Sequence, residues 1–200
     1  MTIVLLVEGD TESALKEHLK SFLDQRAVLE GKPRVRLTTR TQVDLSEGRF
    51  RRRVHLELET PGVTAVVALI DVYPKFADAA AAKTALHEKA GHPANFYAHA
   101  AQFEVEAWLL PYWDDICRRV GVQRAMPGAD PEQVDQDTPP SRHLGELYRL
   151  AKPRPRRYVK AAEMRAILRG KDLTMSASRC PELKSVLNTL LMLGDLTPLP

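Results

Sequence analysis

The chain has 200 residues, 44% of them hydrophobic and 28% charged, which suits one sizeable core with an elaborated end and is ordinary for a soluble globular fold. The formal net charge of +3 does not by itself argue for nucleic acid, and no apolar run approaches the roughly 20 residues needed to span a bilayer. Cys117 and Cys180 lie far apart with no CxxC pattern, which argues against a structural zinc site and for a reducing cytoplasm, while the apolar run Ile3 to Val7 is too short for a signal peptide.

The opening stretch MTIVLLVEGDTE reads as a buried strand, a tight turn and a helix. Glu8 stands at the end of the apolar run, Asp10 or Thr11 is placed to cap the helix, and Glu12 lies in its first turn. Thr11 to Gln25 carries Leu15, Leu19 and Phe22 at helical spacing. Val35 to Val43 is a second strand, and Arg34, Arg36 and Arg40 make it an edge candidate. A helix from Ser46 is expected to turn Phe50, Val54, Leu56 and Leu58 to the core, with Arg49 and Arg51 to Arg53 on a mostly solvated face; Pro61-Gly62 ends it.

VTAVVALI, Val63 to Ile70, is the second strongly buried strand, and it ends at Asp71. A plain helix follows over Ala77 to Ala90, then a strand over Asn95 to Gln102, where His99 is expected to pack or be hydrogen-bonded. Glu104 and Glu106 share one face if the chain stays extended there. Strand–helix alternation makes an α/β fold with a mostly parallel sheet and helices on both faces the economical architecture. From about Trp113 the pattern turns helical and basic. We therefore divide the chain into an α/β core, residues 1–112, and a helical extension packed on it, residues 113–200. The extension has a proline- and acid-rich loop over Pro127 to Pro140 and helices over Ser141 to Leu150, Tyr158 to Arg169 and Pro181 to Leu193.

Two constellations carry chemistry. If the three buried strands are parallel neighbours, Glu8, Asp71, Glu104 and Glu106 meet at one sheet edge, with Glu12 one helical turn beyond Glu8. Crowded carboxylates repel unless a cation joins them, and hard oxygen ligands suit Mg²⁺ or Mn²⁺. Two such ions a few ångströms apart would activate a water and stabilise the leaving oxygen in phosphodiester cleavage, with Glu8 as ligand or general base and Asp71 as the central ligand. Taken singly, an acid at a strand end is as often a solvated loop residue or a helix cap. The second constellation is basic. Arg142, Arg154, Arg156, Arg157 and Lys160 belong to a cluster running to Lys171 that suits a nucleic-acid backbone, or equally a solvated helical face. Tyr148 and Tyr158 lie within it. No GxxxxGK[ST] or GxGxxG occurs, so no nucleotide cofactor is indicated.

The motif VEGDTE resembles the opening of TOPRIM domains, above all those of OLD-type nucleases, and LIDVYP stands where such domains carry a strand-end aspartate. The chain as a whole resembles a bacterial TOPRIM-like family of domains of unknown function related to OLD and RloB proteins. Its further motifs match Glu104-Val105-Glu106-Ala107, a helix bearing Lys160, and Cys180-Pro181. The resemblance implies a Rossmann-like TOPRIM fold, Mg²⁺ or Mn²⁺ at the acids and phosphodiester cleavage of DNA or RNA, with Lys160 stabilising charge on the phosphate. It also implies an ATPase partner in a phage-defence or mobile-element setting. A regulatory subunit that keeps the scaffold without catalysis is the competing expectation. Where many TOPRIM domains have Asp-x-Asp, this chain has Tyr73, which removes one ligand.

Overall fold

The computed structural model describes residues 1–134 and 138–200. Four strands form one sheet: β1 (Thr2–Val7), β2 (Arg36–Arg40), β3 (Val63–Asp71) and β4 (Phe96–Ala101). The order is β2-β1-β3-β4 and every pairing is parallel. The three predicted buried strands are therefore neighbours, and the arginine-bearing β2 is an edge. Their C-terminal ends lie level: Val7 pairs with Leu69, and Asp71 with Ala101.

The continuous apolar runs are explained by two covered faces. Ile3, Leu5, Val7, Val67 and Leu69 face a cluster with α1 (Asp10–Leu29); Val4, Leu6, Val66, Ala68 and Ile70 face α2 (Glu47–Leu58) and α3 (Ala79–Ala90). Side chains alternate across the sheet, so one run supplies both cores. Burying each such Val, Leu or Ile contributes about 1.5–3 kcal/mol. The α1-side cluster also takes in apolar residues of α4 (Trp113–Val120), α5 (Pro140–Arg149), α6 (Lys160–Leu168), α7 (Leu173–Ala177) and α8 (Pro181–Leu193).

Local expectations need several corrections. Neither Asp10 nor Thr11 caps α1: Gly9 is the N-cap, no side chain bonds there, and Asp10 stands exposed in the first turn. The helix also runs on to Leu29, which leaves Val28 and Leu29 exposed. In α2 the buried positions are Phe50, Val54 and Glu57, spaced by four and three. Leu56 falls off that stripe and is exposed, while Glu57 is held by Arg40 at 2.8 Å and Arg53 at 3.0 Å. The α3 helix starts at Ala79 because Asp78 caps it, its carboxylate accepting the Ala81 amide at 2.7 Å. The predicted loop before α5 contains a short 3₁₀ turn, Pro131–Gln133, and its residues 135–137 lie outside the described ones. There Glu132 is buried, accepting from Trp108 Nε1 at 2.8 Å and from the Glu182 amide at 3.0 Å, so it caps α8.

His99 is buried on β4, and its Nε2 lies 3.0 Å from Thr189 Oγ1 of α8. Burial above all, helped by Lys83 and His87, pulls its pKa down to about 4. The unfolded imidazole therefore binds a proton that the folded one refuses. Stability contributed by neutral His99 is present above pH 6.5 and is lost as pH falls towards 4, by about 3 kcal/mol in full. An imidazole NMR titration is expected to leave His99 neutral at pH 5; titration at 6.5 or above would remove this contribution.

Candidate metal centre

The β3 and β4 ladder continues past the strands, with the Val72 amide donating to Ala101 O and the Tyr73 amide to Phe103 O. Asp71 is thereby fixed at the sheet edge, and its Oδ1 accepts the Val105 amide at 2.9 Å. After β4 the chain turns at Phe103, which has φ of 64°, a left-handed conformation costing a non-glycine residue about 1–2 kcal/mol. Such strain persists where the surroundings enforce it, and functional sites are common among those places. Here the turn swings Glu104 back over the edge. A 3₁₀ helix, Val105–Tyr112, then starts and turns Glu106 inward. The two glutamates thus converge by a turn and not by sharing one face of an extended segment.

Asp71, Glu104 and Glu106 each offer a carboxylate oxygen within 4.8 Å of the others. Ligands about 2.0–2.1 Å from an octahedral ion sit about 2.9–4.1 Å apart, so shifts below 1 Å would close the three onto one cation. Their environments differ. Glu104 is engaged on both oxygens: the Ser141 amide donates at 2.9 Å, Ser141 Oγ at 3.0 Å and Lys160 Nζ at 2.8 Å. Glu106 is fully buried, and neither of its oxygens accepts a hydrogen bond; Lys160 Nζ stands 3.2 Å from Oε1 as an ion-pair partner. Burial pushes its pKa up to about 7 against the pull of Lys160. Asp71 is raised well above the ordinary carboxylate range, by burial first and then by Glu12 and Glu106. Lys160 loses solvation, yet Glu106 and Glu104 outweigh that and hold its pKa above the usual lysine value.

Glu12 is buried beside Asp71 and folds back over Gly9; a Cβ on that glycine would meet Glu12 Oε2 at 2.9 Å. Burial raises its pKa, backbone amides of Glu12 and Gly9 oppose this, and Glu8 adds to it. Glu8 itself is turned to Lys75 in an ion pair at the rim. The predicted set therefore divides: three acids converge, Glu12 flanks them, and Glu8 stands apart. Tyr73 is 44% exposed, and the acids that converge with Asp71 are Glu104 and Glu106. Three convergent carboxylates, one of them, Glu106, buried with both oxygens unsatisfied, offer hard donors that fit a divalent cation.

A groove of about 340 Å³ adjoins this edge, lined by Ser141, Arg142, Arg149, Arg156, Arg157, Tyr158 and Lys160 among others. Ser141 and Lys160 belong to both groove and acid cluster. Among the described residues, Arg149, Arg156 and Arg157 form no ion pair, and Arg142 reaches Glu146 at 3.9 Å. Arg154 is exposed and does not line the groove. Sequence reasoning missed Ser141, which holds Glu104 from 37 residues away; a serine after two prolines carries no signal of that contact. A wider concavity of about 740 Å³ lies along α1, lined by Lys16, Lys20, Asp24 and Val28 among others, but among the described residues no trio of convergent acids serves it.

A family model described as a domain of unknown function (DUF4276) matches residues 7–191. No curated protein and no solved structure matches the chain.

Proposed function

The chain belongs to the DUF4276 family, a domain of unknown function, and from its acidic edge we propose that it is a Mg²⁺- or Mn²⁺-dependent phosphodiesterase acting on nucleic acid. One observation carries this reading: a carboxylate trio, in which both Glu106 oxygens are buried and orphaned, shares Lys160 and Ser141 with an arginine-lined groove. The four-stranded parallel sheet with acids at its C-terminal edge also agrees with a Rossmann-like TOPRIM scaffold akin to OLD and RloB nucleases.

When bound, the divalent ion supplies positive charge to a phosphoryl oxygen and an acidified water. Asp71 and Glu106 would hold it, with Glu104, oriented by Ser141, as a further ligand. Glu12 adds negative charge behind Asp71. Lys160 presents its ammonium where charge builds up on the phosphate, and Arg142, Arg149, Arg156 and Arg157 hold flanking phosphates. Glu8, paired with Lys75, is left as a rim residue that could release to act as ligand or base.

The test is a cleavage panel over single- and double-stranded DNA and RNA with Mn²⁺, Mg²⁺ or chelator; absence of metal-dependent cleavage throughout would sink the catalytic reading. Groove binding is tested separately. The double variant Arg156→Ala, Arg157→Ala is expected to bind nucleic acid about tenfold or more weakly, with the salt slope reduced by about 0.7–0.9 per arginine. Binding by fluorescence anisotropy across salt concentrations checks this, and an unchanged slope would remove both residues from the interface.

A second reading is favoured by the lysine lodged between Glu104 and Glu106, which neutralises acids without an ion. In that case the scaffold is a non-catalytic subunit, with the groove as docking surface for nucleic acid or an ATPase partner. Nucleic-acid binding without metal affinity or cleavage would support it.

A further inference from the structure

Helix α5 carries a glycine that its own packing does not call for. Glycine is, after proline, the poorest helix former, because it has the most backbone freedom to lose on folding. Gly145 nevertheless stands in the middle of Pro140–Arg149. The other glycines have reasons of their own. Six have positive φ, Gly9 and Gly194 are closely approached by neighbouring side chains, and Gly48 lies in the first turn of α2. Gly145 has none of these: its backbone is outside the left-handed region, and a Cβ built on it would meet nothing within 4 Å.

The open space beside it is the arginine-lined groove. Leu144, Leu147 and Tyr148 of α5 are buried, while Ser141, Arg142, Gly145 and Arg149 form a separate stripe that lines the groove. Gly145 lies within that stripe, four residues from both Ser141 and Arg149, so the helix backbone is bare at the centre of a basic wall. Arg156 and Arg157 line the same groove from the connector before α6, and the acid that lines it, Glu146, is already met by Arg124 at 3.7 Å and Arg142 at 3.9 Å. Glycine serves wherever a ligand must come close to the main chain, and cations around such a place suit an anionic chain. At about 340 Å³ the groove is at the small end of ligand pockets, so it admits the backbone of one strand and not the width of a duplex.

We propose that the phosphodiester backbone of a single nucleic-acid strand crosses α5 at Gly145 in van der Waals contact with the helix, held by Arg142 and Arg149 on the helix and by Arg156 and Arg157 on the connector. This rests on the nucleic-acid reading above and adds the point at which the strand touches the fold. One turn of helix is about 5.4 Å, so the contact lies one turn from Ser141, which holds Glu104. A phosphate over Gly145 is thus close along the strand to the one presented to Lys160 and the acids.

The test compares wild type with Gly145→Ala and Gly145→Leu, both better helix formers, by thermal unfolding and by anisotropy of a labelled oligonucleotide, single-stranded or duplex. Both variants are expected to melt at the wild-type temperature or above it, and to bind the single strand about fivefold or more weakly, leucine more so than alanine, as overpacking a close contact does. Loss of folding could not weaken binding while stability holds or rises. Unchanged or tighter single-strand binding by Gly145→Leu would overturn this contact and leave the nucleic-acid reading standing. A lower melting temperature for Gly145→Ala would overturn it too, since the glycine would then serve the packing of the fold. Binding of duplex alone by wild type would also overturn it, and failure of wild type to bind either form would overturn it together with the nucleic-acid reading.

Discussion

Asp71→Asn is expected to lose metal-dependent cleavage by about 10³-fold or more and, in metal-free buffer at pH 7, to melt at a higher temperature than wild type. The first part follows from position. Asp71 is the member of the trio fixed on the sheet itself, and a bound ion contributes several kcal/mol of charge stabilisation, each 1.36 kcal/mol being tenfold in rate. The second part follows from crowding. Burial, Glu12 and Glu106 all raise the Asp71 pKa, so the folded state holds its proton to a higher pH than the unfolded chain does. Stability is then lost as pH rises above the unfolded value of 3.8, and an amide is free of that cost. Asparagine keeps an oxygen for the Val105 amide, so the turn survives. The rate is measured against wild type with Mn²⁺, and unfolding by circular dichroism in chelator. Retained cleavage would remove Asp71 from the centre; a lower melting temperature would show that its carboxylate is structural.

Lys160→Met is expected to destabilise the metal-free protein by about 2–3 kcal/mol. Breaking a buried pair costs about 3–5 kcal/mol, and the figure is reduced here because the lysine side chain is 43% exposed. Without its ammonium, Glu104 and Glu106 face each other and Asp71 with only Ser141 donating to them. The informative arm is rescue. Mg²⁺ or Mn²⁺ should restore more stability to the variant than it adds to wild type, because ligand binding to the native state alone stabilises by RT ln(1 + [L]/Kd) and the variant's Kd should be lower. Equal metal effects on both proteins would mean that the lysine and the cation do not meet the same charges. Denaturant unfolding with and without metal decides between them.

The sheet was legible because its signal is local and redundant. Ile3 to Val7 and Val63 to Ile70 are unbroken apolar runs, and such runs require two covered faces. Asp71 was legible for the same reason, as the residue at which a buried strand ends. Geometry beyond the strand was not. Glu8 has the same sequence context as Asp71, yet Lys75 holds it at the rim, and a lysine 67 residues away leaves no trace near Glu8. Glu104 and Glu106 were found by their spacing, but the left-handed turn at Phe103 that brings them together was not foreseen, since phenylalanine has no preference for it. Leu56 and Glu57 show the same limit on a helix. Hydrophobicity favoured the leucine as core, whereas helical phase placed the glutamate there and two arginines made it tolerable.

The pairing of Glu104 with Lys160 also gives the order of synthesis a chemical meaning. The two are separated by 56 residues, a span that takes a ribosome several seconds at about 5–20 residues per second. Throughout that interval every acid of the edge already exists, and the ammonium that will neutralise two of them does not. Until the start of α6 arrives, the charge of the nascent edge is met by water, protons and counterions. The last part of the site to be made is thus the part that neutralises two of its acids from within the chain.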